Sequence, residues 1–471
     1  MDYRKQEHRR AFLRNAFFAS AAGAAAPLLS GCSSPGGIGA KGNNSTTGNS
    51  GKTCTTTGQL SIPTGRLGTA LSNAEYAAQD DNGLILPIGF TSTLLATSGL
   101  PVSATSGVPT GYTWHPLPDG GACFPKVDGG WAYTSNSEVP GAPLGGAGAL
   151  SFNADGEVVD AYRILSNTTQ NCAGGTTPWN TWISGEEHSA GQCWECNPYQ
   201  TGQGVAKPSL GLFAHEAVAV DMAHQTVYLT EDTGSGRFFR WIADASDYDA
   251  ENDRLRFENG VLQVMNIAGF EDDAYPDDVA QVRQLRPVSW KNAPNPSIPQ
   301  GDARGELANA GQTVPGTIFR GGEGIWFYEL PIEDRCTPPG GSTPTKGLVF
   351  WTTKGDNRVW ALDIENQLVE VIFDNSLVER DFSDVDNLTV SPWGDVVVAE
   401  DLVGTGTIRI AIMVPDQAPI NLVEANHPGS EICGPAFSPD GRFLYFSSQR
   451  GGALSTGATY AIRIPDSIIN A

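Results

Sequence analysis

The chain has 471 residues with 29 Lys+Arg against 52 Asp+Glu, a formal charge of −23. A hydrophobic share of 40% excludes a disordered chain, and 56 Gly with 31 Pro favour tight turns and short strands over coiled coils or helical solenoids. The length exceeds what one ordinary core fills, so the chain holds several domains or is built from repeats, and its acidity excludes nucleic-acid partners while suiting hard cations.

Residues 1–31 read as an address. Arg9-Arg10-Ala11-Phe12-Leu13-Arg14 is a twin-arginine signal. The Ala/Gly-rich apolar stretch Ala16 to Leu29 follows, too short and too weakly hydrophobic to span a membrane. Leu29-Ser30-Gly31-Cys32 then matches a lipobox, with Cys32 as the lipidated residue. The expectation is export by the twin-arginine pathway and lipid anchoring in the bacterial cell envelope. Ser33 after the cysteine favours the outer membrane. The lipid would be the sole membrane contact, and the protein a monomer. Residues 32–60 are rich in Ser, Thr, Gly and Asn and read as a flexible tether.

From residue 61 to 471 the chain repeats one grammar, an apolar run, a turn and a second apolar run. Ala217 to Asp221 is followed by Thr226 to Asp232, Leu388 to Gly394 by Val396 to Asp401, and Pro435 to Arg442 by Phe443 to Ser448. Hairpins with Ser-Pro-x-Gly turns, repeated in this way, predict an all-β fold, a β-propeller of six blades. The charged segment from about 244 to 312 predicts a partly helical insertion, with Asp278 to Leu285 as its clearest helical stretch.

Eight cysteines are present. Lipidation of Cys32 leaves Cys54, Cys123, Cys172, Cys193, Cys196, Cys336 and Cys433, most of which should pair in an oxidising compartment with one left over. Cys193-Trp194-Glu195-Cys196 has no matching second pair, so a loop disulfide is expected there rather than zinc.

The acids fall beside apolar strands. Glu186-Glu187, Glu216, Glu231-Asp232, Glu323, Asp386 and Glu400-Asp401 form a series of strand-end stops. In a propeller the inner strands converge on a channel, where such acids would repel one another unless cations sit among them. Six to eight oxygen ligands suit calcium. No Gly-x-Ser-x-Gly nucleophile elbow is found.

Several stretches resemble the PhoX-type secreted alkaline phosphatases. They are Asp128-Gly129-Gly130-Trp131 with Ser135 to Glu138, Cys172-Ala173-Gly174-Gly175 through Pro178-Trp179 to Glu186-Glu187, and His215 to Asp221 with Tyr228 to Asp232. Gly322-Glu323-Gly324, Asp386 to Val390 with Glu400-Asp401, and Gly434 to Gly441 follow in the family's order. The resemblance covers roughly residues 60–460. It implies a calcium-dependent phosphomonoesterase acting on phosphorylated small molecules at a channel cluster that also holds iron. It carries Glu187, Glu216, Glu323, Asp386 and Glu400 over as metal ligands, with Glu186, Glu231 and Asp232 as further candidates. Arg320 is the expected phosphate-binding residue, since a guanidinium can grip two phosphate oxygens. Gly185 stands where the family's Trp-x-x-Cys-Glu-Glu motif places a cysteine, read here as the iron ligand. A calcium-only cluster, or recruitment of His188 or Cys193, would then follow. The alternatives are a non-catalytic calcium-binding propeller, or another metal-dependent hydrolase such as a lactonase or phosphotriesterase.

Overall fold

The computed structural model describes Cys54 and residues 59–377, 382–401, 406–415, 417–451 and 457–471. The twin-arginine segment, Cys32 and most of the 32–60 tether lie outside the described residues. Among the described residues no helix is long and apolar enough to cross a membrane.

The strands form successive antiparallel meanders. Strand β1 (Thr91–Thr97) precedes the first, which runs β2 (Pro118–Pro125), β3 (Trp131–Ser137), β4 (Gly145–Phe152) and β5 (Val158–Thr168). The next is β6 (Asn171–Thr176), β7 (Trp182–Glu186), β8 (Cys193–Cys196) and β9 (Val205–Ala206). It is followed by β10 (His215–Asp221), β11 (Thr226–Glu231), β12 (Phe238–Ala243), β13 (Gly260–Ile267) and β14 (Arg286–Asn292). Then come β15 (Gly322–Glu329), β16 (Gly347–Thr353), β17 (Arg358–Asp363) and β18 (Leu368–Asp374). A further meander is β19 (Val385–Val390), β20 (Val396–Glu400), β21 (Ile408–Met413) and β22 (Ile420–Ala425). The last is β23 (Ile432–Phe437), β24 (Phe443–Ser448) and β25 (Ala458–Arg463).

The first strands of the meanders, β2, β6, β10, β15, β19 and β23, pack against one another in that order, and β23 returns to β2. This closed ring of inner strands is a β-propeller. The ring is sealed from the N-terminal side: β1 pairs with β25, with Thr91 opposite Arg463 and Thr97 opposite Ala458. The last sheet is thus completed by a strand from the start of the domain, so opening the ring requires breaking a whole strand pairing.

Apolar clusters fill the gaps between neighbouring meanders. One joins Phe238 and Met265 to Val349, Trp351 and Trp360, and the two tryptophans stack at 5.7 Å. Another joins Val397, Ile410 and Ile412 to Leu444, Phe446 and Ile462. Strands buried on both faces explain the continuous apolar runs, such as Gly347-Leu348-Val349-Phe350-Trp351.

The Ser-Pro-x-Gly turns behave as their chemistry requires. Gly394 has φ +93, a conformation that glycine adopts freely, and its N–H donates to the Ser391 carbonyl at 3.0 Å. The buried Asp395 carboxylate beyond the turn accepts from Ser391 Oγ and from the N–H of Gly68.

Two sequence expectations change. The 244–312 segment is partly sheet: β13 pairs with β12, β14 pairs with β13, and β14 joins β18 of the next meander through Arg286 opposite Val369. Within 278–285 only Val279–Val282 is helical, and the longer helix is Gln300–Asn309. Cysteine pairing also differs. Cys54 and Cys336 form a disulfide, whereas Cys123, Cys172, Cys193, Cys196 and Cys433 are free thiols. Cys193 and Cys196 sit three apart on one strand, so the pleat sends them to opposite faces and into different apolar clusters.

Candidate metal centre

Each inner strand begins in the same way. The register of its first pairing slips near this end, as between His215 and Val218, Gly322 and Ile325, or Val385 and Leu388. A bulge of this kind twists the strand and re-aims a side chain. The second residue of each inner strand is Asp119, Cys172, Glu216, Glu323, Asp386 or Cys433. The residue just after the second strand of each meander is Glu138, Glu187, Asp232, Lys354, Asp401 or Gln449.

These positions converge. Ligand atoms of Glu216, Glu323 and Asp386 lie within 4.8 Å of one another, as do those of Asp386, Asp401 and Glu431. Two further groups at the same spacing contain a thiol: Glu138, Cys172 and Glu187, and Asp119, Glu431 and Cys433. Lys354 enters the acidic group with its Nζ at 3.2 Å from Glu323, 2.8 Å from Asp386 and 3.1 Å from Asp401. Those carboxylates raise the lysine pKa despite its burial.

Glu187 and Glu216 are far from ordinary ionisation. Burial, then the charges of Asp232 and Glu138, push Glu187 up to about 9. Burial first, then Asp386 and Glu187, raise Glu216 well above the usual carboxylate range. Glu216 is fully buried, and neither carboxylate oxygen makes a hydrogen bond within the described residues. One Asp401 oxygen is likewise unpartnered. Unsatisfied buried oxygens cost free energy unless something binds them. This donor set fits hard cations, and the thiols would admit a softer ion beside them.

Of the residues expected from sequence, Glu187, Glu216, Glu323 and Asp386 are brought to the cluster, and Asp232 adjoins Glu187. Glu400, Glu186 and Glu231 are not. Glu400 is gripped by Arg409 at 2.6 and 2.8 Å and accepts from the Ser383 N–H at 3.0 Å. Glu231 binds Arg304 of the Gln300–Asn309 helix at 2.7 Å and the Arg237 N–H at 2.9 Å. Glu186 accepts from the N–H groups of Thr169 and Gln192 at 3.1 and 3.2 Å. The reason is the pleat: in Glu186-Glu187, Glu231-Asp232 and Glu400-Asp401 the first acid turns into the sheet and the second faces the cluster.

Gly185 is also corrected. A Cβ there would meet the His215 carbonyl at 2.7 Å, so this position points at the backbone of β10 and a cysteine would not join the cluster. The thiol beside Glu187 is that of Cys172. Cys193 lies 3.4 Å from His215 Nδ1 in a buried core, and His188 lies 3.9 Å from Glu186, so neither substitutes for it. Arg320 is exposed, with its guanidinium 3.6 Å over the Tyr275 ring and its carbonyl accepting from Gly355, next to Lys354. It is near the cluster but does not pair with it.

Sequence reasoning named Asp401 only within the acidic series, carrying its neighbour Glu400 over as the ligand, and missed Asp119, Glu138, Cys172, Glu431, Cys433 and Lys354 as site residues. Except for Glu431, which immediately precedes β23, the signal was positional: the second residue of the first strand, and the residue after the second strand, of every hairpin.

A β-propeller whose channel mouth carries buried carboxylates, two thiols and a lysine is the class of protein that fold and site define. The family model "Alkaline phosphatase PhoX" matches residues 132–197, 188–334 and 344–452. The chain belongs to the PhoX alkaline phosphatase family. Among solved structures it is similar to Pseudomonas fluorescens PhoX in complex with vanadate, a transition state analogue, at 14% identity over 83% of this chain and 98% of that one, with a TM-score of 0.59. A putative 6-phosphogluconolactonase from Bacteroides uniformis matches at 10% identity over 79% and 96% of the two chains, with a TM-score of 0.36. A Xanthomonas campestris gluconolactonase matches at 10% identity over 80% and 98%, with a TM-score of 0.37. These last two values are too low to bear on the architecture. No curated protein sequence matches.

Proposed function

We propose that the protein is an exported, metal-dependent phosphatase that hydrolyses phosphate monoesters at a calcium-containing cluster in the channel of a six-bladed propeller. The observation that carries this reading is the Glu216–Glu323–Asp386 group, buried, within 4.8 Å and with both Glu216 oxygens unpartnered. Family membership supplies the phosphatase chemistry. Glu187, Glu216, Glu323, Asp386 and Asp401 would hold the cations, with Cys172 beside Glu187 for a softer ion such as iron. Bound cations would neutralise phosphate and act as Lewis acids on it. Lys354 holds fixed positive charge against three of the acids, and Arg320 would grip phosphate oxygens. The substrate class is phosphorylated small molecules.

Export through the twin-arginine signal, with lipid attached at Cys32 in the outer membrane, belongs to the same proposal. The Cys54–Cys336 disulfide supports an oxidising compartment.

The test is metal analysis of the full chain with a phosphomonoester assay before and after chelation. Bound calcium with turnover lost on chelation and regained on calcium addition is expected. Bound calcium without turnover would make the protein a non-catalytic binding propeller, and no bound metal would overturn the reading.

A further inference from the structure

The last meander carries a cation that the phosphatase reading does not use. Arg450 lies two residues beyond β24, and its guanidinium meets one oxygen of Glu431 at 2.6 Å. The ligand atom of Glu431 stands within 4.8 Å of those of Asp386 and Asp401. Lys354 reaches the same group from another meander, at 2.8 Å from Asp386 and 3.1 Å from Asp401. Lys354 and Arg450 belong to the meanders of β15 and β23, which flank that of β19 in the ring. Positive charge thus brackets the Asp386–Asp401–Glu431 group. It is felt further round the mouth as well: burial raises the Glu138 carboxyl, and the charges of Arg450 and Lys354 oppose that rise.

Arg450 is held in place without being used up. Its backbone is pinned by a buried polar chain that runs in one direction. In the neutral His427 ring, Nε2–H donates to the Asn82 carbonyl at 2.9 Å, which leaves Nδ1 to accept from Ser448 Oγ at 2.9 Å. Ser430 Oγ meets Ser448 Oγ at 2.8 Å and accepts from the Arg450 N–H at 2.9 Å. Gly451 lets the chain pass, since a Cβ there would collide with Ser448 Oγ. The Arg450 side chain is 41% exposed, and Nη1 is its one guanidinium nitrogen with a partner among the described residues. Glu431 therefore leaves the Nε–Nη2 edge open, two parallel N–H donors matched to two oxygens of one anion. Arg320, by contrast, stacks on Tyr275 at 3.6 Å.

We propose that Arg450 grips the phosphate group of the substrate beside the Asp386–Asp401–Glu431 group, through its open Nε–Nη2 edge. This rests on the phosphatase reading above and adds to it a substrate-binding residue from the last meander. Cations held among the acids remove the negative charge that would repel phosphate, and the guanidinium then supplies a directed two-point contact that a spherical ion lacks. The pinned backbone fixes the base of the side chain before substrate arrives, so less freedom is lost on binding.

The calcium-loaded full chain is titrated with inorganic phosphate in a calorimeter, and calcium content is measured on the same samples. Arg450→Ala is expected to weaken phosphate binding about tenfold to a hundredfold at unchanged calcium content. Arg450→Lys is expected to recover part of that loss, because a point charge lacks the fork. Phosphate affinity in Arg450→Ala equal to that of the unaltered chain would overturn this role and leave the phosphatase reading standing. An unaltered chain that holds calcium but binds no phosphate would sink both. Should Arg450→Ala lose calcium because Glu431 has lost its counter-charge, Glu431→Gln is compared with the double variant Glu431→Gln/Arg450→Ala. A gap of about tenfold or more between those two is expected, and equal phosphate affinities overturn the role.

Discussion

Glu216 and Glu400 are both buried glutamates at the channel end of their strands, yet they face opposite fates. Glu216 has no hydrogen-bond partner, whereas Glu400 is held by Arg409. Glu216→Gln should weaken calcium binding about tenfold or more in titration calorimetry, because a carboxylate ligand is replaced by a neutral amide. Glu400→Gln should leave calcium stoichiometry unchanged while destabilising both forms by about 1–3 kcal/mol in denaturant unfolding, since it takes the carboxylate from the partly buried Arg409 guanidinium. Gly185→Cys should not add iron. Its side chain would press on the His215 carbonyl, so a loss of about 1–3 kcal/mol is expected, with metal content by elemental analysis unaltered. The pH response follows from Glu187, whose carboxyl moves from 4.5 to about 9 in the fold. Between those values the folded, metal-free protein holds a proton that the unfolded chain has released. Its extra stability is present below the lower value and is lost as pH rises to the upper one. Chelated protein should therefore melt at lower temperature near pH 9 than near pH 5, and calcium should remove most of that difference because it replaces the proton.

At the scale of the strand, the bulge is the device that makes the site. It lies at the start of the inner strands and turns the second residue toward the centre. In β23 the residue after Cys433 is Gly434, with φ +59, and a Cβ there would meet the Gly121 nitrogen at 2.7 Å and the Asp119 carbonyl at 2.8 Å. Gly434→Ala should cost about 1–3 kcal/mol in unfolding experiments and lower metal content, because the strain falls on Asp119 and Cys433 together. The hairpins themselves were legible from alternating apolar runs and Ser-Pro-x-Gly turns. The insertion was less so. Charged residues over 278–285 suggested a helix, but only Val279–Val282 winds, and from Arg286 the chain joins a sheet edge shared with β18. Sheet pairing there overrides local helical preference, a choice made by a partner strand some eighty residues away.

At the scale of the molecule, closure by β1 and the Cys54–Cys336 link both tie the N-terminal part to the body of the propeller. Reduction of that disulfide should leave metal content and turnover intact, since neither cysteine is near the cluster groups. It should still lower unfolding stability by about 2–4 kcal/mol, because the link closes a long loop in the unfolded chain.

The amino-acid order alone determined the hairpin repeat, the propeller class and the export signal as an expectation, because periodicity and turn chemistry are local. It also marked Glu187, Glu216, Glu323 and Asp386, which sit in motifs beside apolar strands. Only the tertiary structure decided which acid of each adjacent pair faces the channel, since pleat direction depends on pairing register. It alone brought in Asp119, Cys172, Lys354 and Cys433, which are distant in sequence and meet because a closed ring of strands places the same position of every hairpin at one point.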